Sequence, residues 1–379
     1  MRDRRRMNQL LGLGFAVLLA GFTAANYFHK DTAFSDTENR MLQQKPVFSW
    51  ADLADGRFMG NFEKYQTDQF ILRREWIRLQ TAADRLLGKN KSGDVYLGEG
   101  QLLEEPTKLS ENVWENLDAI GAFCRNQTGV KCYLMLVPDA ASVQREKLPA
   151  YAPVADQAEQ LEKIRSYLEK KENPVTEIPL YEMLREHREE SLYYRTDHHW
   201  TTLGARYAYQ SAAGQMGLPG AENGAEKKLY PVSDSFQGTL AARSGYRVPD
   251  DTIEVYWPDQ EEELVVTYVQ EQTKSASLYA AEKLKTRDKY GMFLNGNHPL
   301  TEIRTMASTG RKLLLIKDSY ANCFVPFLTG DFEEIVLVDP RYYYDSAEKL
   351  MKQYGFTDVL FLYNLNTFLE DDVLHYVLE

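Results

Sequence analysis

Two of the chain's six histidines stand side by side, in Tyr194-Arg195-Thr196-Asp197-His198-His199-Trp200-Thr201. In an extended segment residues i and i+2 face the same side, so Asp197 is expected beside His199, with His198 pointing away. A carboxylate against an imidazole fixes its tautomer and stabilises the imidazolium, which is the base-and-orienter half of a catalytic triad. The same three side chains could instead ligate a metal such as zinc. Adjacent histidines on an extended chain do not readily meet one ion, and no further ligand stands out, so no metal is expected. The other four have ordinary explanations: His29 ends an apolar run, His187 and His375 lie in charged stretches, and His298 follows an Asn-Gly turn.

Such a pair needs a nucleophile. Leu313-Leu314-Leu315-Ile316-Lys317-Asp318-Ser319-Tyr320 offers one, an apolar strand ending at a serine with a helix expected from about Tyr320. A serine at the carboxyl end of a strand lies where open α/β sheets bind ligands. Its own N–H, at a helix start, can stabilise an oxyanion. The competing explanation is an N-cap serine, common at such turns. Cys323 is the alternative thiol nucleophile; four residues on, it falls one helical turn away and reads as structural.

Strands must end where these groups stand. Lys131 to Pro138 is a compact apolar run after a helical stretch, about Glu111 to Gln127, and reads as a buried parallel strand. The pattern recurs in helix 155–172 before Val175–Ile178, in Ile335–Val338 and in Val359–Tyr363. Alternating helices and short apolar strands predict an α/β fold with a central parallel sheet flanked by helices. Asp94 to Gly98 reads as a short strand closed by a turn. Between about 229 and 297 the texture changes, with 252–268 rich in Glu and Val, and this reads as a β-rich insertion apart from the doubly wound core.

The N-terminus is a separate matter. Arg2, Arg4, Arg5 and Arg6 precede an uncharged, mostly apolar run from about Leu10 to Phe28, which reads as a signal anchor with its basic end in the cytoplasm. Thr23-Ala24-Ala25 would suit a signal peptidase, so a cleaved leader is the competing reading. Both send the rest of the chain outside the cytoplasm. The expected organisation is an anchor at 1–30, then a linker (Ser35 to Arg40) and helical part at 31–110, with apolar positions at helical spacing from about Trp50 to Leu87. A domain carrying the candidate site follows at 111–379.

Charge and composition narrow the function classes. Lys and Arg number 44 against 56 Asp and Glu, a net charge of -12, which argues against nucleic acid as partner. The three cysteines show no metal spacing and cannot all pair internally. Gly12 and Gly14 lie inside the anchor and no glycine-rich loop follows a strand, so no nucleotide or flavin cofactor is expected. The 24 tyrosines suit sugar-binding clefts and cores alike.

Asp197-His198-His199-Trp200 and Lys317-Asp318-Ser319-Tyr320, in that order, resemble the DHHW family and the SGNH-hydrolase-like proteins AlgX and AlgJ of alginate O-acetylation. The likeness runs from Glu38-Asn39-Arg40 through Tyr96-Leu97-Gly98 and Leu136-Val137-Pro138 almost to the C-terminus. It implies Ser319 as nucleophile, His199 as base and Asp197 as its orienter. Lys317 departs from the pattern, which has Gly there. Gly296 and Asn297 resemble the pair that completes an SGNH oxyanion hole, although an ordinary Asn-Gly turn explains them too. Tyr290, Arg243 and Tyr320 are the candidate substrate contacts. The resemblance further implies acetyl transfer to a cell-surface polysaccharide, with a polytopic membrane acyltransferase as supplier of acetyl groups. An acetylesterase with the same residues, and a non-catalytic polysaccharide-binding subunit, are the alternatives.

Overall fold

Alternation along each central strand decides which layer a residue joins. Leu313 and Leu315 belong to one apolar layer and Leu314 and Ile316 to the other, and all four are wholly buried. Burying such a side chain contributes about 1.5–3 kcal/mol, so a strand apolar on both faces demands cover on both. The computed structural model describes residues 2–35, 40–219, 228–257 and 263–379. Most of Glu38-Asn39-Arg40, the linker from Asp36 to Asn39, and 258–262 within the alternating stretch lie outside the described residues.

The chain forms two compact units, Met1–Lys89 with Ala242–Tyr246, and Asn90–Ala241 with Arg247–Glu379. In the first, helix Arg2–Phe28 is long and apolar enough to cross a bilayer or serve as a signal sequence. Three helices follow, Trp50–Ala54, Arg57–Gln69 and Arg73–Leu86, where apolar spacing predicts them.

The second unit is built on an eight-stranded sheet. Its strands are β1 (Lys131–Val137), β2 (Thr176–Glu177), β3 (Val265–Tyr268), β4 (Thr273–Ser275), β5 (Leu300–Arg304), β6 (Lys312–Lys317), β7 (Glu334–Val338) and β8 (Asp358–Asn364), in the order β4-β3-β5-β7-β6-β8-β1-β2. From β7 to β2 all neighbours are parallel. Strands β3, β4 and β5 extend the β7 edge antiparallel. Helices Asn112–Asn126, Gln157–Lys170 and Ala347–Tyr354 cover one face and Thr202–Met216 the other. Val95–Leu97 is the middle strand of a small antiparallel sheet.

The stretch 229–297 needs correcting in part. Lys228–Phe236 and Asp251–Trp257 do form a separate, bulged hairpin, but β3 and β4 belong to the main sheet. Four alternating residues, Val265 to Tyr268, suffice for an antiparallel edge strand, which is buried less completely than a parallel one. The helix expected from Tyr320 is also different. Ser319–Cys323 and Val325–Phe327 are two 3-10 turns, because Pro326 has no N–H to give a continuing α-helix.

Candidate active site

Asp318 shapes the turn after β6. Its side chain accepts the Tyr320 N–H at 2.9 Å and the Asn364 N–H at the end of β8 at 2.9 Å. The serine is thereby fixed at the carboxyl edge of adjacent parallel strands, and among the described residues no acceptor takes the Ser319 N–H. Behind the turn, Asn364 Nδ2 reaches Asp139 at 2.5 Å, and Gln157 Nε2 reaches the other oxygen of Asp139 at 2.6 Å. Burial pushes the Asp139 carboxyl up to about 7, against those two hydrogen bonds.

The Asp-His-His-Trp segment is a bend, not an extended strand. Tyr193 pairs with Trp200, and Tyr194 N–H donates to His199 O at 3.2 Å. Inside it Asp197 Oδ1 accepts the His199 N–H at 3.1 Å, an Asx-type turn that replaces the expected i, i+2 alignment. Asp197 Oδ1 also lies 2.5 Å from His199 Nδ1, and His199 Nε2 lies 2.8 Å from Ser319 Oγ. Asp197, His199 and Ser319 therefore form one hydrogen-bonded line, all three buried. Burial alone would raise the Asp197 carboxyl. The two neighbouring imidazoles, the His199 hydrogen bond and the Thr239 N–H overcome it and hold the acid far below its usual range.

His198 does not point away, because the bend folds its ring against His199, with centroids 3.9 Å apart. Its Nδ1 pairs with Thr239 Oγ1 at 2.7 Å, and burial, then repulsion from His199, pushes the imidazole down to about 4. Donor atoms of Asp197, His198 and His199 come within 4.8 Å of one another. Asp197 is engaged with His199 and Thr239, both nitrogens of His199 with Asp197 and Ser319, and His198 through Nδ1 with Thr239. A cation there would have to displace the hydrogen bonds of Asp197 and His199.

Remote residues hold the bend. Thr239 N–H and Oγ1 both donate to Asp197 Oδ2, at 2.7 and 2.9 Å. Asp251 accepts the Arg195 and Thr196 N–H groups, each at 2.8 Å. Gly238 lies so close that a Cβ there would sit 2.3 Å from the Asp197 side chain. Trp200 Nε1 donates to Tyr320 O at 2.9 Å, and the Tyr320 hydroxyl donates to His198 O, so bend and serine turn brace each other.

The remaining candidates fall in different places. Tyr290 and Tyr320 are buried to the same depth as His199. Tyr290 stacks on His199, centroids 3.8 Å apart, and its hydroxyl donates to Ser319 O at 3.0 Å. Gly296, at φ 93°, closes the turn after Leu294 and Asn295, and its N–H is committed to Phe293 O at 3.1 Å, which removes it as an oxyanion donor. Asn297 is tied to the serine turn on both flanks: its Oδ1 accepts from Lys317 Nζ at 3.2 Å and Asn322 Nδ2 at 3.0 Å. Lysine can only donate, so the Asn297 oxygen is fixed toward Lys317 and its NH₂ is the group left to serve a ligand. Arg243 lies on the short helix Thr239–Ser244 and belongs to the first unit. Cys323 is buried, with the Tyr290 hydroxyl 3.3 Å from its sulfur, and burial pushes the thiol up to about 12.

Lys317 fills the place where a glycine was expected. It is buried, and its ammonium donates to Asn297, to Asn322 at 2.9 Å, and toward Asp339 at 3.5 Å. Burial pulls it below the usual lysine range, against the attraction of Asp339. Asp339 is in turn gripped by Arg341 at 2.6 and 2.8 Å. Sequence reasoning missed Thr239, Asp251 and Gly238, for which no local motif exists. Lys317 carried a signal, as the one departure from the expected motif.

Fold and site together define an α/β sheet protein with a serine–imidazole–carboxylate line at the carboxyl edge of its parallel strands. The DHHW protein family model matches residues 119–338, more than half of the sequence, and the chain belongs to the DHHW family. A DHHW family protein from Eubacterium siraeum is similar at 26% identity over 75% of this chain and 97% of its own, with a TM-score of 0.63. Bacillus cereus PatB1, solved with a sulfonyl adduct, is 22% identical over 74% of this chain and 98% of its own, TM-score 0.62. The O-acetyltransferase domain of Pseudomonas putida AlgJ is more distant, at 16% identity over 73% of this chain and 92% of its own, TM-score 0.45. By sequence, no curated protein matches the chain.

Proposed function

We propose that this protein is an extracytoplasmic serine acyl-transfer enzyme, held to the membrane by its N-terminal helix, that moves acetyl groups onto a cell-surface polysaccharide. The observation that carries the reading is the continuous line from Asp197 through His199 to Ser319, at 2.5 and 2.8 Å. These are the distances nucleophile activation requires. Ser319 Oγ attacks an acetyl carbonyl while His199 Nε2 takes its proton, and Asp197 steadies the imidazolium. The Ser319 N–H and the Asn297 amide serve the tetrahedral oxyanion. Collapse returns the proton to the departing group and leaves an acetyl ester on Ser319. A sugar hydroxyl, deprotonated by His199, then attacks that ester and regenerates the serine. The motif resemblance to alginate O-acetylation proteins supports the acetyl group and the sugar acceptor.

Three measurements test this. Purified protein offered an acetyl ester should form an acetyl-Ser319 intermediate detectable by mass spectrometry, and a sulfonyl fluoride should label the same residue. Ser319→Ala should lower turnover by about 10³-fold or more; unchanged turnover would refute the nucleophile. An oligosaccharide acceptor that gains 42 Da (acetyl for hydrogen, roughly, by mass) marks a transferase. Release of acetate alone marks an esterase, and sugar binding without any turnover marks a binding subunit.

A further inference from the structure

The first unit holds a surface that acyl transfer does not use. Trp76, Leu79 and Leu86 recur at helical spacing along Arg73–Leu86, with Leu72 at its N-cap, and Leu72, Trp76, Leu79 and Leu86 are 61%, 42%, 60% and 90% exposed. Met59 and Phe70 stand beside a groove of about 760 Å³ between this helix and Arg57–Gln69. So much exposed apolar surface marks an interaction face.

Contacts within the unit fix its level. Trp76 meets Phe22 of the N-terminal helix edge-on, ring centroids 5.8 Å apart, and Asn26 Oδ1 accepts the Ile71 N–H at 3.0 Å. Gln69 clasps the chain just beyond the helix, donating to Thr32 O at 2.9 Å and accepting the Thr32 N–H at 3.0 Å. Phe22 stands six residues before Phe28, about 9 Å along the axis. The apolar run from Leu10 to Phe28 is about 28 Å long, the thickness of a hydrocarbon core. If Phe28 marks the outer edge of that core, Phe22 lies about 9 Å beneath it, within the roughly 5–10 Å to which the apolar face of an interfacial helix penetrates. Charge leans the same way: helices Arg57–Gln69 and Arg73–Leu86 carry six Lys and Arg against four Asp and Glu, in a chain of net charge -12.

We propose that helices Arg57–Gln69 and Arg73–Leu86 are a second membrane attachment, lying in the outer interfacial layer of an anionic bilayer with the Trp76 stripe toward the acyl chains. This rests on the reading that the N-terminal helix remains as an anchor. Cleavage at Thr23-Ala24-Ala25 would strip Phe22 from Trp76.

The test uses the full chain in vesicles of phosphatidylglycerol and phosphatidylcholine carrying brominated acyl chains. The wild-type emission minus that of Trp76→Phe isolates Trp76. Its emission should fall at least two-fold with brominated lipid and resist aqueous acrylamide, and Leu79→Asp, at an exposed position, should reverse both. Quenching by acrylamide and not by brominated lipid overturns the proposal, as does protection from both, which would mean a protein covers the stripe. Equal lipid quenching in vesicles of phosphatidylcholine alone would overturn the role given to the basic residues. Intact mass of the membrane-extracted chain reports separately on the anchor, so a cut N-terminus and a water-facing helix pair are distinguishable failures.

Discussion

Ser319 stands on a turn that its own neighbours shape, whereas His199 stands on a bend kept in form by hydrogen bonds to Thr239 and Asp251 that span 42 to 56 positions of the chain. Around Ser319 the apolar run of β6 buries itself on both faces, Asp318 caps the turn, and Pro326 keeps the next residues from winding into a longer helix. Around His199 almost nothing local suffices. Asp197 depends on Thr239, the preceding backbone hangs on Asp251, and the imidazole rests on Tyr290. The turn proposed to carry the nucleophile is thus held largely by a short sequence, while the proposed base and its orienter need a clamp assembled from afar. The clamp is the more fragile half.

Gly238→Ala tests that difference most severely. The new methyl group would lie 2.3 Å from the Asp197 side chain, so one of the two must move. Because misplacing a catalytic group by about 1 Å costs about 10²-fold, kcat should fall by roughly that factor while the main sheet stays intact by circular dichroism. An alanine variant with wild-type turnover would mean the clamp has slack, and the contrast with the serine turn would disappear.

The same contrast explains what the sequence made legible. The parallel strands could be read because each is a short apolar run, and β6 in particular carries the serine at its end. Asp197, His199 and Ser319 could be nominated because their chemistry is written in residue type. The path of the bend could not, since an extended chain and an Asx turn both bring Asp197 to His199 and differ only in where His198 goes. Tyr290 and Tyr320 belong to the neighbourhood their motifs suggest, but their packing against His199 and the bend could not be read, since burial depth is a property of the finished core. Strands β3 and β4 were unreadable as sheet members because short alternating segments suit a hairpin and an antiparallel edge equally.

Lys317 sharpens the comparison from the serine side. Lys317→Met keeps the length of the stem and removes the ammonium that fixes the Asn297 oxygen, leaving Asp339 still paired with Arg341. The turn itself should persist, because Asp318 rather than Lys317 caps it. The expected result is a kcat lowered about ten-fold with KM little changed, the pattern of a lost transition-state contact. If KM rises and kcat holds, Asn297 serves ground-state binding instead.

The smallest effect is a matter of pH and stability, and it returns to the clamp. His198 is held down to about 4 by burial and by His199, against an ordinary value near 6.5. A base whose folded value is depressed contributes stability that is complete above about pH 6.5. That contribution declines as pH falls toward 4, because the unfolded chain takes up the proton first. The ring edge is a quarter exposed, so water shares the ion and the expected loss is about 1–2 kcal/mol rather than the full linkage value. His198→Gln keeps a polar group toward Thr239 and removes the titration. Denaturant melts at pH 7 and pH 5 should show a smaller difference for the variant than for the wild type. Equal differences would mean that His198 is already protonated in the folded bend and adds its charge beside Asp197.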